Sequence, residues 1–223
     1  MKEVIVSVPG RICLLGEHMD WIGGEVITTA INWRLICKTS KNIKGIITAG
    51  SFNPYPVYEE IFLNDINFDS ELKYIPAVLS IINNGKSCEK VDISIERSEK
   101  YGFHQLPAKK GLSSSAALCL GTIASYNALV NRNYDLSLKD KIEYAEASYI
   151  AENQVLGINC GRMDQYACSL GGLQHFNFLK GIKCTRLKPI PGVDIVLGDS
   201  HTEKNTEKVL DWLKKRLIEE DPV

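Results

Sequence analysis

Apolar positions mark out alternating strands and helices along the chain. Val4-Ile5-Val6-Ser7-Val8 is a short β-branched run that predicts a strand, and Arg11 to Leu15 continues extended toward Gly16-Glu17-His18. Glu25 to Ile36 predicts a second strand. Residues 41–70 alternate strand-like pieces with turn residues at Gly45, Gly50 and Asn53-Pro54. Tyr74 to Ile82 places apolar residues at helical spacing, and Asn83-Asn84-Gly85 stops it. Val91 to Glu96 alternates as a strand with one buried face. After Pro107 and two lysines comes Gly111-Leu112-Ser113-Ser114-Ser115, which feeds Ala116 to Val130, a run of helix formers with little charge. Ser137 is placed to cap a helix running to about Leu156, with Leu138, Ile142, Ala145, Tyr149 and Val155 along one stripe. Gly157 to Gly161 reads as a turn, Asp164 to Leu170 as a short helix ended by Gly171-Gly172, and Leu173 to Phe178 and Val193 to Leu197 as strands. Glu203 to Glu219 reads as a last amphipathic helix with Val209, Leu210, Leu213 and Leu217 inward. Strands and helices without strict βαβ alternation predict an α+β fold.

Composition narrows this only a little. A chain of 223 residues that is 44% hydrophobic and 24% charged can bury an ordinary core. Its formal net charge of -1 gives no footprint for nucleic acid or an anionic membrane. The start shows no export signal, and no run of about 18 apolar residues is long enough for a membrane helix. The seven cysteines form no C-x-x-C pair and no zinc spacing, and most lie in apolar runs. They read as reduced core thiols of a cytoplasmic protein.

Three segments carry the chemistry. Glu17, His18 and Asp20 crowd three hydrogen-bonding side chains into four residues, a set suited to sugar hydroxyls; in isolation it is also an ordinary charged surface turn. Gly111 to Ala117 combines serine hydroxyls with the N–H groups of a helix start, which suit phosphate oxygens. It is not a Walker loop, since no Lys-Ser or Lys-Thr follows in frame, and it is equally a Ser-capped helix. Glu152, followed across a glycine turn by Asp164, offers two carboxylates that can face one phosphate site. One would hold Mg²⁺ and the other would serve the attacking hydroxyl. Taken singly, such carboxylates are more often solvated.

Together the segments resemble the GHMP kinase family, and within it the galactokinase-like sugar kinases. Pro9 to Gly24 resembles the galactokinase signature P-G-R-x-x-L-x-G-E-H-x-D-[YW]-x-x-G. Pro107 to Ala117 resembles the family phosphate loop P-x-x-x-G-L-x-S-S-A-A, and Ala151 to Gln165 resembles A-E-x-x-x-x-G-x-x-C-G-x-M-D-Q. The resemblance implies a GHMP kinase N-terminal domain of the ribosomal protein S5 domain 2-like kind. It further implies ATP phosphates on Gly111, Leu112, Ser113, Ser114, Ser115 and Ala116, and Mg²⁺ on Ser115 and Glu152. Asp164 would act as base or orienting group, with Arg11 beside it holding it ionised and steadying the transferring phosphoryl group. Glu17, His18 and Asp20 would bind sugar. The implied product is a sugar 1-phosphate with ADP.

The chain departs from the pattern at Lys109-Lys110, where the family has small residues, and at Trp21, where tyrosine is commoner. Family members run well past 300 residues and carry a late glycine-rich motif that does not occur here. On this reading residues 1–190 form the ATP- and sugar-binding domain. Residues 191–223 begin an incomplete ferredoxin-like second domain, so the expectation is a fragment, or one half of a split kinase completed by a homodimer partner or a complementing chain. Two alternatives stay open. One is another acceptor such as mevalonate or homoserine, whose kinases lack the Glu-His-x-Asp cluster. The other is a sugar- or nucleotide-binding protein without catalysis.

Overall fold

The structure, a computed structural model, describes residues 3–43, 45–52, 56–84, 88–189, 191–198 and 206–218. Strand β2 (Glu25–Lys41) is its spine. Strand β1 (Glu3–Leu15) pairs antiparallel along one side of β2. The other side is covered in sections by β7 (Leu173–Asn177), β6 (His104–Gln105) and β5 (Val91–Glu96). Strands β3 (Ile47–Ser51) and β4 (Val57–Ile61) extend the sheet beyond β5, and β8 (Lys183–Arg186) extends it beyond β7. This mixed sheet with helices against it is the α+β arrangement expected. Strand β2 runs five residues past the expected end, because β5 supplies a ladder partner as far as Lys41.

The helices are α1 (Tyr74–Asn83), α2 (Ser114–Asn131), α3 (Leu138–Ile150), α4 (Met163–Leu170) and α5 (Thr206–Ile218). Helix α2 is buried on nearly every side, which accounts for its lack of charge. It packs so close to β2 that a Cβ on Gly121 would lie 2.9 Å from the Cβ of Cys37. The core beneath joins Ile75, Leu79, Ile93, Ile95 and Ile123. Along β5, Val91, Ile93 and Ile95 face inward while Asp92, Ser94 and Glu96 alternate outward.

Several expectations change. Ser137 does cap α3, in a reciprocal capping box with Asp140. The expected stripe holds only in part: Ala145 is buried and Val155 packs partly against the core, but Leu138 and Ile142 are exposed, and Tyr144 and Ser148 are buried in their place. Leu138 stands in the first turn of α3 and meets no core element, whereas Tyr144 is drawn in against α2, where Asn127 donates to its hydroxyl at 3.0 Å. Helix α3 gives way at Ala151–Val155 to a π-helical turn. Val193 to Leu197 is not a strand. It runs exposed without a ladder partner among the described residues, and a β-branched run becomes a strand only where a neighbour pairs with it. Of the last helix, Leu210 is buried, Leu213 is half-buried and Val209 is exposed. Residues 199–205 and 219–223, with the expected start at Glu203, lie outside the described residues, as does the side chain of Leu217. Four cysteines are buried, Cys13 and Cys160 are half-buried, and Cys184 is exposed rather than in the core.

Candidate active site

Arg11 organises the site. The ladder between β1 and β2 shifts register between Pro9 and Arg11, and such a bulge re-aims the side chains beside it. Only glycine fits at position 10, where a Cβ would meet the Leu112 carbonyl oxygen at 2.9 Å. Arg11 is 4% exposed. Its Nε donates to Asp164 Oδ1 at 2.9 Å, Nη2 donates to the same oxygen, and Nη1 donates to the Gly111 carbonyl at 3.0 Å. Its backbone N–H donates to the Leu112 carbonyl at 3.3 Å. One side chain thus ties β1 to the serine loop and to α4. Burial alone would lower the guanidinium pKa; the charges of Asp164 and Glu17 outweigh that and raise it.

The serine loop folds through left-handed backbone at Lys109, Gly111 and Ser113, with φ of 59°, 72° and 65°. Ser113 occupies the N-cap of α2, yet no side chain caps the helix, so the Ser-capped alternative does not describe it. Alternating left-handed residues at a helix start form the N–H-lined concavity that takes anionic oxygens. Ser114 and Ser115 stand in the first turn of α2, Leu112 packs partly against the core, and Ala116 is buried. Lys109 Nζ donates to Glu71 Oε1 at 2.7 Å.

Helix α4 opens on a crowded turn. The Met163 N–H donates to Asp20 Oδ2 at 2.9 Å. Gly161 lies so close that a Cβ there would come within 1.9 Å of the same oxygen. Burial raises the Asp20 pKa, partly opposed by the Met163 N–H. Gln165, one residue beyond Asp164, donates its amide to Glu152 Oε2. Glu152 sits in the π turn, 3% exposed, and Ser115 also hydrogen-bonds it. Burial pushes its carboxyl up to about 7, against the pull of the Ser115 and Gln165 hydrogen bonds. Glu152 therefore stands behind Ser115 rather than in the cleft wall.

Between these elements lies a cleft of about 480 Å³. Arg11, Asp164, Gly111, Ser113, Ser114, Ser115, Glu17, His18 and Asp20 all line it. A turn after β1 presents Glu17 and His18. Gly16 must be glycine there, with φ +82° and a Cβ position 2.2 Å from the Glu25 carbonyl oxygen. Val57, Leu72, Tyr74, Ile95 and Leu106 add an apolar wall to the cleft. Sequence reading missed this wall, because its residues come from separate elements and share no local pattern. It also missed Glu146, which accepts from Arg162 Nη2 at 2.9 Å and from the Tyr166 hydroxyl at 3.1 Å and so braces α3 against α4. Arg162, inside the Gly161–Gln165 segment, was the available signal.

The donor set fits Mg²⁺. Ser115 and Glu152 offer adjacent hard oxygens, and no basic side chain is among the groups that shift the buried Glu152 carboxyl. No cluster of three acidic, His or Cys residues occurs among the described residues, and Mg²⁺ bound through substrate phosphates needs none. No described helix is long and apolar enough to cross a membrane.

Two segments of the chain match known family models. Residues 1–41 match the galactokinase galactose-binding signature, and residues 74–172 match the GHMP kinases N terminal domain. Galactokinase of Clostridium tetani is 34% identical over 167 residues, covering 73% of this chain and 40% of the relative. Galactokinase of Pyrococcus furiosus is 30% identical over 187 residues, covering 80% and 47%. The chain thus spans less than half the length of these curated relatives. In fold it is similar to Lactococcus lactis galactokinase complexed with galactose, with a TM-score of 0.72 at 18% identity over 99% of this chain and 58% of that one. It is also similar to Methanococcus jannaschii mevalonate kinase, with a TM-score of 0.66 at 20% identity over 84% and 56%. With its ion-paired Arg11 and Asp164, its uncapped serine loop and these two matched segments in order, the chain belongs to the GHMP kinase family as a galactokinase-like member.

Proposed function

We propose that this chain provides the ATP- and sugar-binding part of a kinase that phosphorylates a monosaccharide, galactose first among them, at its anomeric hydroxyl. The observation that carries the reading is the buried Arg11 joined at once to Asp164 and to the Gly111 carbonyl of the serine loop. A charge-fixed carboxylate there stands beside an anion-binding helix start, which is the pairing that phosphoryl transfer to a hydroxyl requires. The galactose-binding signature favours a sugar over mevalonate as acceptor.

In this reading Glu17, His18 and Asp20 hold the sugar hydroxyls. Asp164 orients the attacking hydroxyl and takes its proton as the new O–P bond forms and the bond to the ADP leaving oxygen breaks. Arg11 keeps Asp164 in place and faces the transferring group. The loop from Gly111 to Ala116 holds the phosphates, and the apolar wall accepts the adenine ring. Ser115 and Glu152 would hold Mg²⁺, which when bound would supply neutralisation of phosphate charge. Residues 1–190 make up this unit.

The test is ADP release by the purified chain with ATP, Mg²⁺ and a panel of free sugars headed by galactose, then other hexoses, uronic acids and arabinose. Turnover with one sugar is the expected result. ATP and sugar binding without turnover on any sugar would instead support a non-catalytic binder.

A further inference from the structure

We propose that Gln165 is a positioning residue of the cation site, aiming the Glu152 carboxylate and linking it rigidly to Asp164. The inference rests on the kinase reading, in which Ser115 and Glu152 hold the metal.

Gln165 is 1% exposed and is among the largest fully buried side chains of the molecule. Its amide nitrogen donates to Glu152 Oε2, while its amide oxygen has no partner among the described residues. A buried carbonyl without a partner destabilises a fold, and a core position filled for packing alone would be served better by leucine or methionine. The amide is therefore present for its donor end. That donor occupies Oε2 of the same carboxyl group that Ser115 hydrogen-bonds, so the carboxyl is held from two sides. Outer groups of this kind hold a metal ligand in its binding orientation.

The placement of Gln165 adds a second consequence. Asp164 and Gln165 are consecutive in the first turn of α4, and the Asp20 carboxylate pins that turn through the Met163 N–H. Asp164 turns toward Arg11 at the cleft, and Gln165 turns toward Glu152 behind Ser115. The hydroxyl-facing carboxylate and the cation-facing carboxylate are thereby spaced by a single helical turn instead of by two independent loops.

The test uses Gln165→Met, which keeps the volume and removes the donor, with Glu152→Gln as reference. Mn²⁺ binding in the presence of a non-hydrolysable ATP analogue is monitored by electron paramagnetic resonance, and sugar and metal-free nucleotide affinities by calorimetry. Loss of an outer group costs about 10- to 100-fold in metal affinity. Q165M is expected to weaken Mn²⁺ by that factor and leave sugar and metal-free nucleotide affinities unchanged. If Q165M does not fold, Gln165→Asn, which keeps the amide but falls short of Glu152, replaces it with the same expectation. Wild-type Mn²⁺ affinity in the folded variant, alongside loss in E152Q, would overturn the proposal and leave the kinase reading standing. Absence of nucleotide-dependent Mn²⁺ binding in the wild type would overturn the kinase reading, and the proposal with it.

Discussion

Asp164 draws its importance from what surrounds it. Arg11 commits two nitrogens to one of its oxygens, and the side chain still reaches the cleft. If it serves the attacking hydroxyl, Asp164→Asn should lower kcat by the about 10²- to 10⁴-fold typical of a lost acid–base group while sugar affinity holds. Steady-state kinetics with sugar binding by calorimetry checks this, and an unchanged kcat would remove Asp164 from the chemistry. Asp20 permits a second test at this scale, in pH. Burial raises its pKa above the ordinary 3.8, so between the two values the folded protein holds a proton the unfolded chain has lost. Stability contributed by Asp20 therefore falls as pH rises through that window and stays reduced above it. Urea midpoints from pH 3.5 upward should show Asp20→Asn gaining on the wild type as pH increases. A pH-independent difference would count against a buried, destabilised carboxylate.

At the scale of elements, the site sits where three chain segments end or turn: the bulge in β1, the uncapped start of α2 and the first turn of α4. Helix α3 holds the last of these through Glu146 and Arg162. Its own start is secured by the Ser137–Asp140 box, in which the Asp140 N–H donates to Ser137 Oγ at 3.2 Å and the Ser137 N–H donates to Asp140 Oδ2 at 2.8 Å. Ser137→Ala should cost about 1 kcal/mol of stability, read from the urea midpoint, with ligand affinities intact because the box does not line the cleft. The cap was legible in the sequence because it is a contact over three residues. The buried face of α3 was legible only at Ala145, because Tyr144 and Ser148 are buried by the elements packed against them while the apolar Leu138 and Ile142 meet none. The short strands β6 and β8 escaped for a related reason: two and four residues hold no period, and only their neighbours make them strands.

Across the whole molecule, the cleft takes its walls from β1, α2, α4 and the segments around β3, β4 and α1, with Leu210 of α5 also lining it. Asn159 reaches Asp211 of α5 at 3.4 Å. The segment before α5 behaves differently: Val196 is 91% exposed. Val196→Asp should accordingly leave the melt within about 0.5 kcal/mol of wild type, whereas a buried strand position would lose several times that. Thermal unfolding of this variant distinguishes the exposed segment from the strand its composition suggests.

The sequence by itself determined what depends on near neighbours: the β-branched run of β1, the periods of β5 and α1, the helix formers of α2, the glycines at forced turns, the Ser137 cap, and the residue types that carry phosphate and sugar chemistry. Tertiary structure alone decided which of those residues meet. Arg11 and Asp164 are 153 positions apart, and only the fold brings Nε within 2.9 Å of the carboxylate. The buried Glu152 and Gln165 join Ser115 in one hydrogen-bonded group, the apolar cleft wall forms from separate elements, and Val193 to Leu197 has no ladder partner among the described residues. The reason is physical: dihedral preference, capping and turn formation are settled within a few residues, whereas burial, charge pairing and strand pairing depend on partners that the chain brings together only by folding.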